Sequence, residues 1–246
     1  MLCQKMKLIK KLLQNIPREN VREVIVGVFS TLVKTDSGCG IASTLRYDRP
    51  HQRIVNSGEL EQMNLRELAE LALSENLLEA SVGMAAINST LPSDAPYYRE
   101  MNGTELILEK GAGKTLGIIG HFPFLERVSD QFEKVYVFEK FPQHGDLREE
   151  DIPALLPQAD VVAITATSVT NHTFGDIMHW AAPHSYKLLL GPSTTLSPLF
   201  FEWGIDALAG SVVVDYEKLR KQVIQATPTR YLSGIRQVCL LRKDFP

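Results

Sequence analysis

Four short, continuous apolar segments, separated by stretches long enough to form helices, constrain the fold of this chain most strongly. They cover residues 116–121, 135–139, 161–165 and 188–192, and each ends abruptly in a small or polar region. Strands of a parallel sheet that is covered on both faces are buried on either side, so they form continuous apolar runs. The pattern therefore predicts an α/β fold with a mainly parallel sheet in the second half of the chain.

The ends of these four segments predict where a ligand binds. In open parallel sheets, ligands bind beyond the carboxyl ends of the strands, where the strand-to-helix connections lie side by side. We therefore expect the residues that follow the four segments to gather along one edge of the sheet. They are Gly120 and His121, Glu139, residues 165–171, and Gly191, Pro192 and Ser193.

The first part of the chain has a different pattern. Residues 21–32 and 41–45 are rich in strand-forming residues and flank a turn at 36–40, which predicts a β-hairpin. Apolar residues then recur at helical spacing over 65–73 and 77–87. We expect Asn64 to cap the first of these helices and Ser74 or Asn76 to cap the second.

A segment rich in Pro, Ser and Asp, residues 91–96, separates the two patterns. Beyond it the chain alternates strands and helices. We therefore predict two domains, a small α+β domain over residues 1–95 and an α/β domain over residues 96–246. The lysine-interrupted apolar residues at the amino terminus predict an amphipathic helix that opens the first domain.

Charge and composition exclude several classes of partner. The 246 residues carry a formal net charge of -3, which gives no electrostatic reason to expect nucleic acid, a partner that favours a basic face. We therefore expect a small-molecule partner. No stretch approaches the ~20 apolar residues that a membrane span requires. Cys3, Cys39 and Cys239 lack the paired spacing of a zinc site or disulfide framework, which favours a cytoplasmic location. A homo-oligomer is compatible with the sequence, which shows no heptad repeat to define its size.

Gly120 and Glu139 together resemble part of a nucleotide-binding site. Glu139 lies 19 residues after Gly120, close to the ~20-residue spacing at which an acidic residue meets a ribose hydroxyl. The turn over residues 117–123 lacks the full three-glycine fingerprint of a dinucleotide site. The alternative is a solvated carboxylate that forms an ion pair with Lys140 or Arg148.

The other strand ends carry hydrogen-bonding groups. Residues 165–171 include more hydroxyl and amide groups than a strand-to-helix connection needs, and residues 191–193 offer backbone N–H groups to an anion. Helix capping is the alternative for both segments. His121 and His172 are the histidines at this edge, and with Glu139 they form a candidate set of metal ligands, although a lining role is the alternative for each.

Several segments resemble the heavy-metal-chelation domain family. They are SGCGIA (37–42), AAINS (85–89), GIIGHFP (117–123), VFE (137–139), LPQAD (156–160), TATSVTNHT (165–173), GPS (191–193) and GIDALAG (204–210). The resemblance implies a Rossmann-like domain behind an amino-terminal domain similar to the cap of enolases. It also implies a cleft between them that binds metal or a metal-chelating small molecule. The positions that match the family are Asn88, Gly120, Glu139, Thr165, Asn171, Gly191 and Pro192.

These observations support one leading hypothesis and two alternatives. The leading hypothesis is that the protein binds a small polar ligand, an anionic metal chelator or its metal complex, in the cleft between the two domains. Glu139 would then engage a hydroxyl or a cation, and Thr165 and Asn171 would orient the ligand. The first alternative is an enzyme that uses S-adenosylmethionine or a nicotinamide dinucleotide, and the second is an interaction module without a ligand.

Overall fold

The computed structural model describes residues 6–46 and 52–245, so Cys3 and the start of the predicted opening helix lie outside the described residues. Two β-sheets organise the chain, one of three strands and one of six. The strands are β1 (Val21–Val26), β2 (Ser30–Thr35), β3 (Cys39–Ser43), β4 (Thr115–Ile119), β5 (Lys134–Phe138), β6 (Val161–Thr165), β7 (Tyr186–Leu190), β8 (Ala207–Val213) and β9 (Ile235–Leu241).

Helices connect most of these strands. The α-helices are α1 (Lys7–Leu13), α2 (Leu65–Glu70), α3 (Leu77–Ser89), α4 (Gly103–Gly111), α5 (Leu125–Val128), α6 (Ile152–Leu155), α7 (Thr167–Thr170), α8 (Phe174–Trp180) and α9 (Tyr216–Ile224). Short 3-10 helices cover Leu60–Gln62, Leu71–Leu73, Ser129–Gln131, Glu149–Asp151, Leu156–Gln158, Pro198–Trp203, Thr229–Tyr231 and Arg242–Asp244.

The first sheet is an antiparallel meander with the order β1-β2-β3. The predicted turn between β2 and β3 is confirmed, but residues 21–32, predicted to form one side of the hairpin, contain all of β1 and the start of β2. A turn at residues 27–29 divides that segment, with the Gly27 N–H donating to the Ser30 carbonyl at 3.0 Å. The turn escapes sequence reasoning because it contains the apolar residues Val28 and Phe29, which the structure leaves exposed.

We call the first sheet with helices α1 to α3 the first unit, and the second sheet with helices α4 to α9 the second unit. The helices of the first unit match the sequence closely. Asn64 accepts a hydrogen bond from the Glu67 N–H and forms a reciprocal capping box at the start of α2. Asn76, rather than Ser74, caps α3 by accepting from the Leu78 N–H. Helix α1 is amphipathic as predicted, because its apolar face is buried while Lys10 and Lys11 are exposed.

The second sheet has the order β5-β4-β6-β7-β8-β9. Strands β4 to β8 run parallel, which confirms the mainly parallel sheet and the α/β fold class, and β9 pairs antiparallel with β8. The four predicted strands are all present. The sequence analysis did not predict β8 and β9 as strands.

One apolar core connects the two sheets. The largest buried cluster contains Val33 and Met84 from the first unit together with Val162 and Leu189 from the second sheet. Side chains of helix α3 are buried over most of its length, because the helix packs between the first sheet and the second unit. The predicted division at residues 95 and 96 stays a prediction, since a shared core does not mark a boundary.

Both edges of the six-stranded sheet carry a short additional pairing. Outside β5, Leu147 donates to the Val137 carbonyl at 2.7 Å and accepts from the Glu139 N–H at 3.0 Å. Outside β9, Arg99 and Cys239 exchange two backbone hydrogen bonds of 2.9 Å. Within the described residues, no helix is both long and apolar enough to cross a lipid bilayer.

Candidate functional site

The strand order places a topological switch point between β4 and β6. From β4 the chain passes to β5 on one side and then crosses to β6 on the other. The connections that leave β4 and β6 therefore diverge, and they open a crevice at the carboxyl ends of these strands. A cavity of about 350 Å³ lies here, and we call it the switch-point cavity. Its wall includes Gly120, His121, Glu139, Thr165, Ser168, Asn171 and Trp180.

Glu139 is held in place by backbone groups. One carboxylate oxygen, Oε2, accepts from the His121 N–H at 2.9 Å, and the other, Oε1, accepts from the Lys140 N–H at 3.0 Å. An ionised carboxylate has about four lone-pair sites, so each oxygen keeps one for a ligand. The arrangement presents two adjacent acceptors in a fixed orientation at the end of β5.

His121 pairs with a buried carboxylate. Its Nδ1 lies 3.1 and 3.2 Å from the two oxygens of Asp146, whose side chain is only 4% exposed. Asp146 also accepts from the Gln143 N–H at 3.0 Å, which fixes its orientation. A carboxylate only accepts, so Nδ1 carries the proton in this contact and Nε2 of the neutral ring keeps its lone pair.

The connection after β6 supplies hydroxyl and amide groups to the cavity. The Thr165 and Thr167 hydroxyls lie 2.9 Å apart, and the Asn171 side-chain oxygen accepts from the Thr173 hydroxyl at 2.7 Å. Ser168 also lines the cavity, where its hydroxyl is buried and has no hydrogen-bond partner within the described chain. A buried polar group without a partner is costly, so a ligand hydrogen bond to Ser168 would relieve that cost.

The cavity combines apolar walls with an acidic lining. Phe122, Ile152 and Trp180 contribute apolar surface, and the Trp180 side chain stays partly exposed at 39%. Besides Glu139, the acidic side chains of Glu149 and Asp176 also line the cavity, and they outnumber the one lysine of its lining, Lys140. An aromatic wall beside carboxylates suits a flat, hydroxyl-bearing molecule better than a polyanion.

Gly120 adopts a φ of +100°, which explains its place at the turn. A Cβ added there would lie 3.2 Å from the Thr165 Cβ and 3.3 Å from the Phe122 ring. The space beside Gly120 is therefore filled by side chains of this chain. The next helix, α5, begins only at Leu125 and has four residues, so the turn offers a weak cradle for a pyrophosphate.

Four of the predicted site residues lie away from the switch-point cavity. Gly191, Pro192, Ser193 and Asn88 do not line it, although Gly191 does adopt a positive φ. The Asn88 amide donates to the Ile41 carbonyl at 2.9 Å, and its oxygen accepts from Thr195 at 2.7 Å. The Ser193 hydroxyl accepts from the Ser43 N–H at 2.7 Å. Asn88 and Ser193 therefore connect the two units.

The predicted metal set of His121, Glu139 and His172 is not assembled. His172 has a φ of +63°, and its Nε2 lies 2.9 Å from the Ala72 carbonyl oxygen, so it contacts the first unit. Across the described ranges, no group of three His, Cys, Asp or Glu side chains is arranged to hold a metal ion. The sequence suggested otherwise because His172 directly follows Asn171, which does line the cavity.

Sequence reasoning missed Asp146 and Trp180. Asp146 lies in the loop after β5 and reaches His121 only because that loop pairs with the edge of β5 through Leu147. Trp180 lines the cavity from the last position of α8, far along the chain from the end of β6, so no strand-end pattern marks it. The switch-point cavity is not the expected cleft between the two units, because its lining falls entirely within residues 119–180.

The fold and cavity define a class of protein, a Rossmann-like α/β unit that follows a small α+β unit and has a crevice at its switch point. Residues 102–241 match the model of the DUF364 family, described as "Putative heavy-metal chelation", and residues 9–91 match a second model, DUF4213, with the same description. The chain belongs to the DUF364 family, which confirms the family resemblance of the sequence.

The similar proteins are described as uncharacterized or of unknown function, and the two with crystal structures share the fold. An uncharacterized protein of Methanocaldococcus jannaschii is 31% identical over 164 residues, which are 63% of this chain and 62% of that protein's length. A DUF364 crystal structure from Desulfitobacterium hafniense is 25% identical with a TM-score of 0.81, covering 97% of this chain and 98% of the other. One from Pyrococcus horikoshii is 24% identical with a TM-score of 0.80, covering 98% and 100%.

Proposed function

We propose that this protein binds a small molecule with two neighbouring hydroxyl groups in the switch-point cavity, with Glu139 as the principal contact. The observation that carries this proposal is the pair of carboxylate oxygens, each held by one backbone N–H and each with acceptor capacity left. Two adjacent acceptors are complementary to a vicinal diol, because each hydroxyl can donate to one oxygen.

The family description directs the choice of ligand toward a metal chelator. A catechol is a metal-binding molecule with a vicinal diol on a flat ring. Its hydroxyls are complementary to the Glu139 carboxylate, and its ring is complementary to the aromatic side chains of Phe122 and Trp180, which also line the cavity. The acidic residues Glu149 and Asp176 favour the protonated, uncharged chelator over an anionic one. We therefore propose the metal-free catechol form as the bound species, which refines the anionic chelator predicted from sequence.

A nucleoside-type cofactor is the second candidate, because a ribose also carries a vicinal diol. Glu139 ends the strand that follows Gly120, the position at which an acidic residue binds a ribose in Rossmann-like folds. The side chains of Thr165 and Phe122 fill the space beside Gly120, so little room remains there for a phosphate group. This favours S-adenosylmethionine, which has no phosphate, over a nicotinamide dinucleotide.

Titration calorimetry with catechol, S-adenosylmethionine and NAD tests these candidates. We expect Glu139→Gln to weaken diol binding by more than 10-fold, or about 1.4 kcal/mol, because the amide of glutamine replaces one acceptor with a donor. Glu133→Gln is the matched control, since Glu133 is exposed and precedes β5 at the opposite end of the strand. The affinity of the Glu133→Gln variant for each diol should equal that of the wild type.

The outcomes separate the two sources of the diol. Binding of catechol alone supports the chelator, and binding of S-adenosylmethionine alone supports the nucleoside. Binding that survives Glu139→Gln, or the absence of binding by every diol, contradicts the proposal. Metal analysis of protein purified without added chelator provides a further check, because a stoichiometric metal without any organic ligand would indicate direct coordination by the protein instead.

A further inference from the structure

A second cavity, of about 460 Å³, lies where the first unit meets the end of β8. We call it the junction cavity. Lys34, Cys39 and Leu91 line it from one side, and Thr194, Leu196 and Val213 line it from the other. None of these residues lines the switch-point cavity, so the two sites are separate.

Lys34 brings a positive charge to this cavity and has no ion-pair partner among the described residues. Its Nζ donates to the Gly38 carbonyl at 3.3 Å and lies 5.8 Å from the centre of the Tyr216 ring. In the described parts of the chain, no carboxylate forms an ion pair with Lys34. Two carboxylates are close, and each pairs with an arginine. Glu23, opposite Lys34 in the pairing of β1 with β2, pairs with Arg220 at 2.7 Å, and Asp94, which also lines the cavity, pairs with Arg236 at 3.0 Å.

Thr194 provides a second, independent indication of a ligand. The residue is 1% exposed and lines the junction cavity, and its hydroxyl has no hydrogen-bond partner among the described residues. Leaving a buried hydroxyl without a partner is unfavourable, because it has lost its hydrogen bonds to water. A cation and a buried, unused hydroxyl that line the same cavity are complementary to one anionic group with several acceptor lone pairs.

The rest of the lining defines the body of that ligand. Leu91, Leu196 and Val213 add apolar surface beside the polar groups. Burial of the Cys39 thiol raises its pKa to about 12, so the thiol stays protonated at neutral pH and adds no negative charge. A small inorganic anion would leave the apolar part of the wall without a contact.

We infer that the junction cavity binds a short aliphatic carboxylate. Its carboxylate pairs with the Lys34 ammonium and accepts from the Thr194 hydroxyl, and its hydrocarbon part packs against Leu91, Leu196 and Val213. Because Lys34 belongs to β2 and Thr194 follows β7, a bound carboxylate contacts both units at once.

Thermal unfolding of the full chain with butyrate, isobutyrate and succinate at constant ionic strength tests this inference, with phosphate as the inorganic probe. We expect at least one carboxylate to raise the Tm of the wild type and phosphate to leave it unchanged. Lys34→Met should weaken carboxylate binding by at least 10-fold, and Thr194→Val should weaken it severalfold. Lys34→Arg should retain binding because it keeps the positive charge.

Lys218→Met is the matched control, because Lys218 is exposed on α9 and does not line the cavity. Its response to carboxylates should equal that of the wild type. The inference is overturned if no carboxylate raises the Tm of the wild type, or if Lys34→Met keeps the full response. A phosphate response as strong as that of the carboxylates also overturns the assigned ligand class.

Discussion

At the residue scale, two carboxylates near the switch-point cavity differ because their partners differ. Glu139 accepts from two backbone N–H groups and keeps acceptor capacity for a ligand. Asp146 is nearly buried, and its oxygens face the His121 ring and the Gln143 N–H. In our proposal Glu139 therefore contacts the ligand, whereas Asp146 positions the His121 imidazole, which lines the same cavity.

The pairing with Asp146 predicts which nitrogen of His121 carries the proton. We expect neutral His121 to be protonated at Nδ1, because the carboxylate beside that nitrogen accepts a hydrogen bond. Nitrogen-15 chemical shifts of the ring measure this directly. Asp146→Ala should produce a mixture of tautomers at His121 while His184 is unchanged. Protonation at Nε2 in the neutral wild-type ring would contradict the assigned contact.

Glu23 predicts a pH dependence of stability. The hydrogen bond from Arg220 lowers the pKa of the Glu23 carboxyl, and burial opposes part of this effect. A carboxyl whose folded-state pKa is lowered stabilises the fold above its unfolded pKa, and this stabilisation is lost as the pH falls through the folded-state value. Glu23 links β1 to α9, so the effect acts on the contact between the two units.

We expect Glu23→Gln to lower the Tm at pH 7 by about 2–4 °C. The difference from the wild type should shrink as the pH falls through the acid range, because the wild-type carboxyl then becomes protonated as well. Thermal unfolding followed by circular dichroism between pH 7 and pH 3 measures this. Glu75→Gln, at an exposed position, is the control, and a difference that is constant with pH would refute the role of the ion pair.

At the element scale, the close packing of β3 on α3 depends on Gly40. A Cβ at this position would lie 2.0 Å from the Ala85 carbonyl oxygen and 2.3 Å from the Ser89 nitrogen. Both are backbone atoms of a helix, so neither can move aside without displacing α3. Glycine is therefore required here by the distance between two elements.

Gly40→Ala should lower the free energy of unfolding by more than about 2 kcal/mol, because the added methyl group separates β3 from α3. Gly175→Ala is the matched control. Gly175 lies in α8 and a Cβ there would have no neighbour within 4 Å, so this change should stay within about 1 kcal/mol of the wild type. Urea unfolding of both variants measures the difference, and equal stabilities would disprove the packing argument.

The strands of the six-stranded sheet differ in how clearly the sequence predicts them. Strands β4, β6 and β7 were predictable because strands buried on both faces form nearly continuous apolar runs. The edge strand β5 was predictable because Lys134 is its only charged residue. Strand β8 was harder to recognise because alanine and glycine weaken its strand signal, and β9 because Arg236 and Gln237 interrupt its apolar residues. A sequence pattern also does not reveal that the last strand runs antiparallel, since this depends on the preceding connection.

Part of the switch-point cavity was predictable from the sequence, because its residues follow predicted parallel strands. Gly120, Glu139 and Thr165 meet because the carboxyl ends of neighbouring parallel strands must lie side by side. Residues 191–193 also follow a parallel strand, but there Ser193 turns toward the first unit and bonds to Ser43. Which strand ends face a cavity depends on contacts between the two units, and these are not encoded in the spacing of one segment.

At the scale of the whole molecule, the shared core predicts one unfolding transition. Val33 in β2 and Val162 in β6 are fully buried in the same apolar cluster. Separating the two units would expose this cluster to water, at a cost of roughly 25 cal/mol per Å² of apolar surface. We therefore expect the two units to unfold together.

Native-state hydrogen exchange measures this cooperativity. The amides of Val33 and Val162 should exchange with the same opening free energy and the same dependence on urea. The amide of Val24, on the edge strand β1, serves as a control for local fraying and should exchange at lower cost. An opening free energy for Val33 well below that of Val162 would show that the first unit unfolds independently.

The short pairings outside β5 and β9 bear on how this protein behaves at high concentration. A bare strand edge is a template on which another chain can add, and repeated addition leads to fibrous aggregates. Here Leu147 occupies part of one edge and Arg99 part of the other. Fewer free backbone groups remain for a foreign strand at these two edges, so copies of this chain that meet in a crowded cell should be less prone to grow fibres from the six-stranded sheet.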